Sequence, residues 1–338
     1  MPVLSRDDAT VITWQFIRTI HHSSHVVIVS HRAMTASAEN SNDDAERIAA
    51  LVRRARRCLC ESTVSKKVER TRATRAWWFA RGALDDDTDD RSSAFDDVVE
   101  RPKREPMRVV APGRSKPLGR GRTVESRVAT LHALAHIESW AIDLSWDVIS
   151  RFGLSRNMPR EFYDDFVEVA YDEARHHEAL ANRLREYGSS YGALDVHDGL
   201  WESAMETANS LEARLVVEHC VHEARGLDVL PQTVQKFRAN GDEASATLLE
   251  SVIYPEEVTH CAAGLRWFKY LHARDGVRGE DESAVNENEE TESSSVVRAF
   301  HALVRKHFAG ALKPPFNHEA RERAGFTPVW YEPLTVKT

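Results

Sequence analysis

Glu138, Glu173, Glu223 and Glu257 recur along the chain at near-equal intervals, and the second and fourth are each followed three residues later by a histidine, His176 and His260. The spacing is 35 residues from Glu138 to Glu173 and 34 from Glu223 to Glu257. On an α-helix, positions i and i+3 lie on one face a turn apart, so both side chains of Glu-x-x-His can reach one point beside the helix. Each residue advances a helix by about 1.5 Å, so two antiparallel arms of roughly 20 residues set such glutamates opposite each other at mid-height. Two hairpins of this form, closed on each other, make an all-α four-helix bundle in which four carboxylates and two imidazoles converge. Carboxylates bridge paired metals and imidazoles add nitrogen ligands, so the set reads as a site for two iron ions, with manganese as the alternative. A single Glu-x-x-His carries little weight, because both residues are common on exposed helices. Two in register are hard to obtain by accident.

The pattern around these residues supports the bundle. A helix is expected over 123–151, with Leu131, Leu134, Ala135, Glu138, Ile142, Ser145 and Ile149 at helical spacing. Gly153 and Pro159 punctuate a short loop, and a second helix is expected over 160–187, stopped by Gly188. Residues 188–204 form a long connection, the single crossover between hairpins. A third helix is expected over 204–230, with Pro231 opening a new segment that Gly241 ends. The fourth spans 243–272, and Pro255 should kink it two residues before Glu257.

The bundle, 123–274, is flanked on both sides. Residues 1–43 read as a poorly ordered extension that fits neither a signal nor a transit peptide, and Met34 is a conceivable alternative start. Residues 44–122 read as a lead-in: a helix to residue 82 docked by Trp77, Trp78 and Phe79, an acidic loop over 84–100, and a Pro- and Gly-rich basic strap over 101–122. The strap's cations suit either phosphate or RNA, or a tie across the acidic bundle; the tie is the favoured reading. Residues 275–296 read as a disordered acidic insertion, and 297–338 as a helix followed by an irregular tail docked by Phe316, Trp330 and Tyr331. A formal charge of −8 argues against a general nucleic-acid coat, and no apolar run reaches the ~20 residues of a membrane span. Four scattered cysteines suit a reducing, cytoplasmic compartment; Cys220 and Cys261 are expected in the core.

Near the ligand positions, His177, Glu178 and Glu256 fall off the Glu-x-x-His phase and are expected to face solvent or support the ligands. Asp172 and Arg175 are candidates to orient a ligand histidine. His132, His136, His219 and His222 are expected to make structural hydrogen bonds, and Trp140, Trp146, Tyr163 and Tyr171 to be mostly core.

HALAHIESWAIDL, YDEARHHEAL, HEARGLDVLP, EEVTHCAAGLRWF and KPPFNHEARERAGF together resemble the ferritin-like family called domain of unknown function 455, over about residues 45–338 apart from the acidic insertion. That family is similar to the wider ferritin-like group of non-haem di-iron proteins, among them ribonucleotide reductase small subunits, bacterial hydroxylases and a tRNA hydroxylase. The resemblance implies a ferritin-like bundle with Glu138, Glu173, His176, Glu223, Glu257 and His260 as metal ligands, and names no substrate. The leading expectation is a di-iron oxidoreductase that acts with O2 or peroxide on a small organic substrate, without membrane or nucleic-acid partners. Alternatives are iron handling by ferroxidase chemistry, manganese catalase activity, an RNA-modifying hydroxylase and a metal-free helical scaffold.

Overall fold

A computed structural model describes residues 38–80, 97–111, 114, 118–276 and 290–336, without the side chains of 38–43 and 290–294. The chain divides into two compact units, Met1–Ser41 and Asn42–Thr338, and apart from the first residues of one helix everything described lies in the second. The expectations for residues 1–37, for most of the acidic loop and for 277–289 fall outside the described residues. Residues 38–43 and 290–296, expected to lack order, are helical.

Among the described residues all regular structure is helical, apart from one isolated bridge between Val109 and Val196. The expected bundle is present. Its first hairpin pairs α3 (Val124–Phe152) with α4 (Arg160–Glu186), and these two helices share an extensive interface. Thr123 caps α3 by accepting from the Ser126 N–H, and the turn 153–159 reverses the chain. The crossover carries a short helix, α5 (Gly199–Met205). The third bundle helix is α6 (Leu211–Val216), a π-helical turn (Val217–His222) and α7 (Glu223–Ala239), run together without a gap. The fourth is built the same way from α8 (Glu243–Leu248), a second π-helical turn (Leu249–Ile253) and α9 (Tyr254–Asp275).

One expectation about these helices needs correction. Pro231 does not start a new segment; α7 passes through it. Proline lacks the N–H that would bond the carbonyl four residues back, and the Leu227 carbonyl accepts instead from Asn317 Nδ2 at 3.1 Å. A partner from the C-terminal tail thus replaces the missing bond, and the helix survives. Before Glu257 the chain carries a π-helical turn, Leu249–Ile253, and Pro255 follows it inside the same continuous helix. Gly264 on α9 allows the close packing of this region: a Cβ there would lie 2.1 Å from the His219 carbonyl oxygen.

The lead-in is two helices rather than one, α1 (Ala38–Leu59) and α2 (Val64–Phe79), because Thr63 caps a fresh start. Trp77 and Trp78 are buried, and Trp78 donates to Asp164 of α4, whereas Phe79 points outward. The strap is a tie. Arg101 pairs with Asp198, Arg104 with Asp143 at 2.7 Å, and Arg108 with Asp195 at 3.6 Å. Asp143 is fully buried and also takes Lys67 of α2 at 2.6 Å, so one carboxylate of α3 anchors both strap and lead-in. At the other end α10 (Glu290–His307) and α11 (His318–Arg323) pack on the second hairpin. Arg321 grips the buried Asp228 of α7 with two nitrogens, at 2.7 and 2.9 Å. Trp330 and Tyr331 are buried and Phe316 half-buried, as the tail's composition suggested.

Candidate metal centre

All six expected residues meet at mid-bundle. Glu138, Glu173, His176 and Glu257 offer ligand atoms within 4.8 Å of one another, and so do Glu173, Glu223, Glu257 and His260. Donors around one ion at about 2.1 Å lie at most about 4.2 Å apart, so each cluster is close to coordination spacing. Glu173 and Glu257 belong to both clusters and lie where bridging carboxylates would. Glu138 falls to the His176 side and Glu223 to the His260 side. The set could hold a metal pair.

The inward atoms fit that use. Glu173 Oε2, His176 Nδ1 and His260 Nδ1 are buried and lack a well-aligned hydrogen bond, facing only other members of the clusters. Leaving buried polar atoms unpaired costs about 1–3 kcal/mol each, so three together call for an occupant. The two rings are 5.8 Å apart, and His260 Nδ1 stands 2.9 Å from Glu173 Oε1. Both outer nitrogens are held. His176 Nε2 lies 2.7 Å from Glu256 Oε2, and His260 Nε2 lies 3.4 Å from Asp172 Oδ2. With each Nε2–H donating outward, the Nδ1 lone pair is free to bind a cation. Glu256 and Asp172 each precede the shared glutamate of the opposite motif. Arg175 joins them, at 2.5 Å from Asp172 and 2.7 Å from Glu256.

Four carboxylates this close cannot all stay charged without cations. Burial, and then the charge of Glu173, pushes Glu138 up to about 8 and Glu223 up to about 7. Burial followed by Glu173 and Glu223 raises Glu257 well above the usual carboxylate range. Burial acts on Glu173 as well, but the His260 and His176 imidazoles outweigh it and hold its carboxyl well below that range. Burial disfavours charge on both imidazoles, yet the surrounding carboxylates win and raise both. In the metal-free protein, protons take the place of cations.

The neighbouring residues divide clearly. Asp172 and Glu256 hold the outer nitrogens of His260 and His176. His177 is buried and donates to the Ala135 carbonyl at 2.8 Å, and Glu178 pairs with Arg72 on the surface. His132 accepts from the Gly192 N–H, and His136 bonds Tyr191 and the His197 carbonyl. His219 is buried against Phe166. His222 bonds Ser203. Trp140, Trp146 and Tyr163 are core, whereas Tyr171 is half-buried under Arg75 and Arg175. Cys220 and Cys261 are buried and unpaired with each other.

Beside the carboxylates lies a cavity of about 600 Å³, between α3 and α7 under the crossover, whose walls include Glu138, Glu173, Glu223 and Glu257. Sequence reasoning missed both this cavity and Glu218, which lines it. The available signal was an acid inside the apolar run Leu215, Val216, Val217, Cys220 and Val221.

A family model described as a protein of unknown function, DUF455, matches residues 60–332. The chain belongs to the DUF455 family. It is also 35% identical over 211 residues to an uncharacterized protein of Haemophilus influenzae, a match covering 61% of this chain and 66% of that protein. The chain therefore spans just under two thirds of that curated relative's length. No solved structure matches the chain. No helix among the described residues is long and apolar enough to cross a membrane.

Proposed function

We propose that this DUF455 protein is a ferritin-like dinuclear non-haem metalloprotein, an oxidoreductase that acts with O2 or peroxide on a small apolar substrate. The observation that carries this reading is the pair of clusters sharing Glu173 and Glu257, each closed by an inward imidazole nitrogen that faces only the clustered carboxylates. His176 and Glu138 would hold one ion and His260 and Glu223 the other, and nitrogen–oxygen donors of this kind suit iron and, next, manganese. Bound iron would supply redox chemistry with oxygen. The chain's own residues do the rest. Glu256 and Asp172, joined by Arg175, fix both rings. The largely apolar cavity admits a substrate to the carboxylate side of the centre and limits water there.

Iron handling and manganese catalase activity use the same ligands and remain alternatives; a cavity of this size beside the centre favours an organic substrate. The strap's pairing with Asp143, Asp195 and Asp198 weighs against an RNA-modifying role. The test is anaerobic loading with Fe(II) followed by admission of oxygen. Rapid oxygen uptake with no retained ferric mineral is expected. Accumulated mineral would replace the oxidoreductase reading with storage, and fast peroxide dismutation by the manganese form with catalase.

A further inference from the structure

The cavity's chemistry narrows the substrate class. Its walls are mainly apolar, with Leu134, Ala141, Leu144 and Leu230 inside, and exposed Ile137 and Val229 lie among its lining residues. Cavities of 300–1,000 Å³ hold drug-sized molecules. Apart from the four clustered carboxylates, most polar groups of the wall have partners in the protein. His132 and His136 bond the crossover, Asp195 pairs with Arg108, and Arg225 donates to the Lys313 carbonyl.

Glu218 differs. It is 1% exposed, and its Oε2 makes no hydrogen bond. Ser203 Oγ donates to Glu218 Oε1 at 2.8 Å and lies 3.0 Å from His222 Nε2. A serine hydroxyl has one proton to give, so the His222 ring must donate to Ser203, and the chain of donors ends on the carboxyl group. Oε2 is left without a hydrogen bond, with only a long contact to His222 Nε2 at 3.8 Å, and an acceptor so placed beside an apolar chamber is costly. The indole N–H of Trp140 is also without a partner, but its ring is stacked between Arg104, 3.5 Å away, and Trp201, 5.7 Å away.

The geometry points to a substrate that is apolar over most of its surface and carries one hydrogen-bond donor, a hydroxyl or an amine, received by Glu218 Oε2. This deepens the proposed function and rests on it for the word substrate; the binding itself requires only the cavity. Glu218 acts as a specificity determinant. A site built to pair with a donor rejects the analogue that lacks it.

Three probes with one bicyclic body test this by calorimetry on the full chain: 1-naphthalenemethanol, 1-naphthalenemethylamine and 1-methylnaphthalene. The expected result is ten- to a hundredfold tighter binding of at least one donor-bearing probe, the gain of about one hydrogen bond to a buried carboxyl. Glu218→Leu should abolish that preference, and Glu218→Gln, which keeps the shape and an acceptor oxygen, should retain part of it for the alcohol. Ala141→Phe should weaken all three probes by filling the cavity. Equal affinities in the unaltered chain would mean that water satisfies Glu218, and would overturn the inference. So would no binding of any probe, or a preference that survives Glu218→Leu. Metal content measured on the same samples separates the two claims. Discrimination without metal sinks the proposed function and keeps the binding site, whereas metal without discrimination does the reverse.

Discussion

The two hairpins supply the same three candidate ligands by different means. α3 and α4 are uninterrupted helices, and their Glu138, Glu173 and His176 follow the ordinary i, i+3 phase. In the second hairpin both Glu223 and Glu257 stand within four residues of the end of a π-helical turn. In an α-helix residues five apart point about 140° away from each other; a π turn, with its i→i+5 bonds, brings them onto one side. Glu218 and Glu223 are five apart, and both line the cavity. The first hairpin thus contributes ligands and rigidity. The second spends regularity to open a chamber next to the same ligands. Each is fastened to an outlying part of the chain through one buried aspartate: Asp143 to the lead-in and strap, Asp228 to the tail.

The strongest way to break the comparison is at those aspartates. Asp143→Ala leaves Lys67 and Arg104 facing a buried void and should destabilise the protein by about 3–5 kcal/mol. Asp228→Ala should cost a similar amount, and chemical denaturation of both variants checks whether the two hairpins are fastened equally. Next come the groups that hold the imidazoles. Arg175→Ala, or Glu256→Gln with Asp172→Asn, should weaken metal binding by about 10–100-fold, read by competition with a chelator, while helix content stays unchanged. Gly264→Ala puts a methyl group into the His219 carbonyl and should cost about 1–3 kcal/mol, a penalty specific to the second hairpin. The smallest effect is the most informative about the centre. Glu138, Glu223 and Glu257 have raised pKa values, so the metal-free fold binds protons more tightly than the unfolded chain. Its stability should therefore fall as pH rises from about 4.5 towards about 8. The raised imidazoles act in the same direction. Depressed Glu173 acts oppositely, but its contribution changes only as pH falls below about 4.5, outside this range. Thermal melts should show this slope with chelator present and lose it on metal loading.

The clustering of the six residues was legible in the sequence because phase along a helix is a local property: Glu-x-x-His says where both side chains point, whatever the helix packs against. The hairpins were legible for the same reason, from apolar spacing and from Gly153 and Gly188. Pro231 misled because its rescue by Asn317 lies 86 residues away and leaves no local trace. The π turns have no composition of their own, and without them the side on which Glu218 points cannot be derived. Asp172 and Glu256 were visible as acids beside ligands, but each serves the histidine of the other motif, a relation that only packing creates.

Metal content tests the central claim most directly. The purified chain, loaded anaerobically with Fe(II), desalted and analysed by mass spectrometry, should hold about two ions per molecule. The Glu173→Ala, Glu257→Ala double variant removes both shared carboxylates and should hold none while remaining helical. An unaltered chain that retains no iron or manganese after loading would contradict the account and leave a helical scaffold in its place.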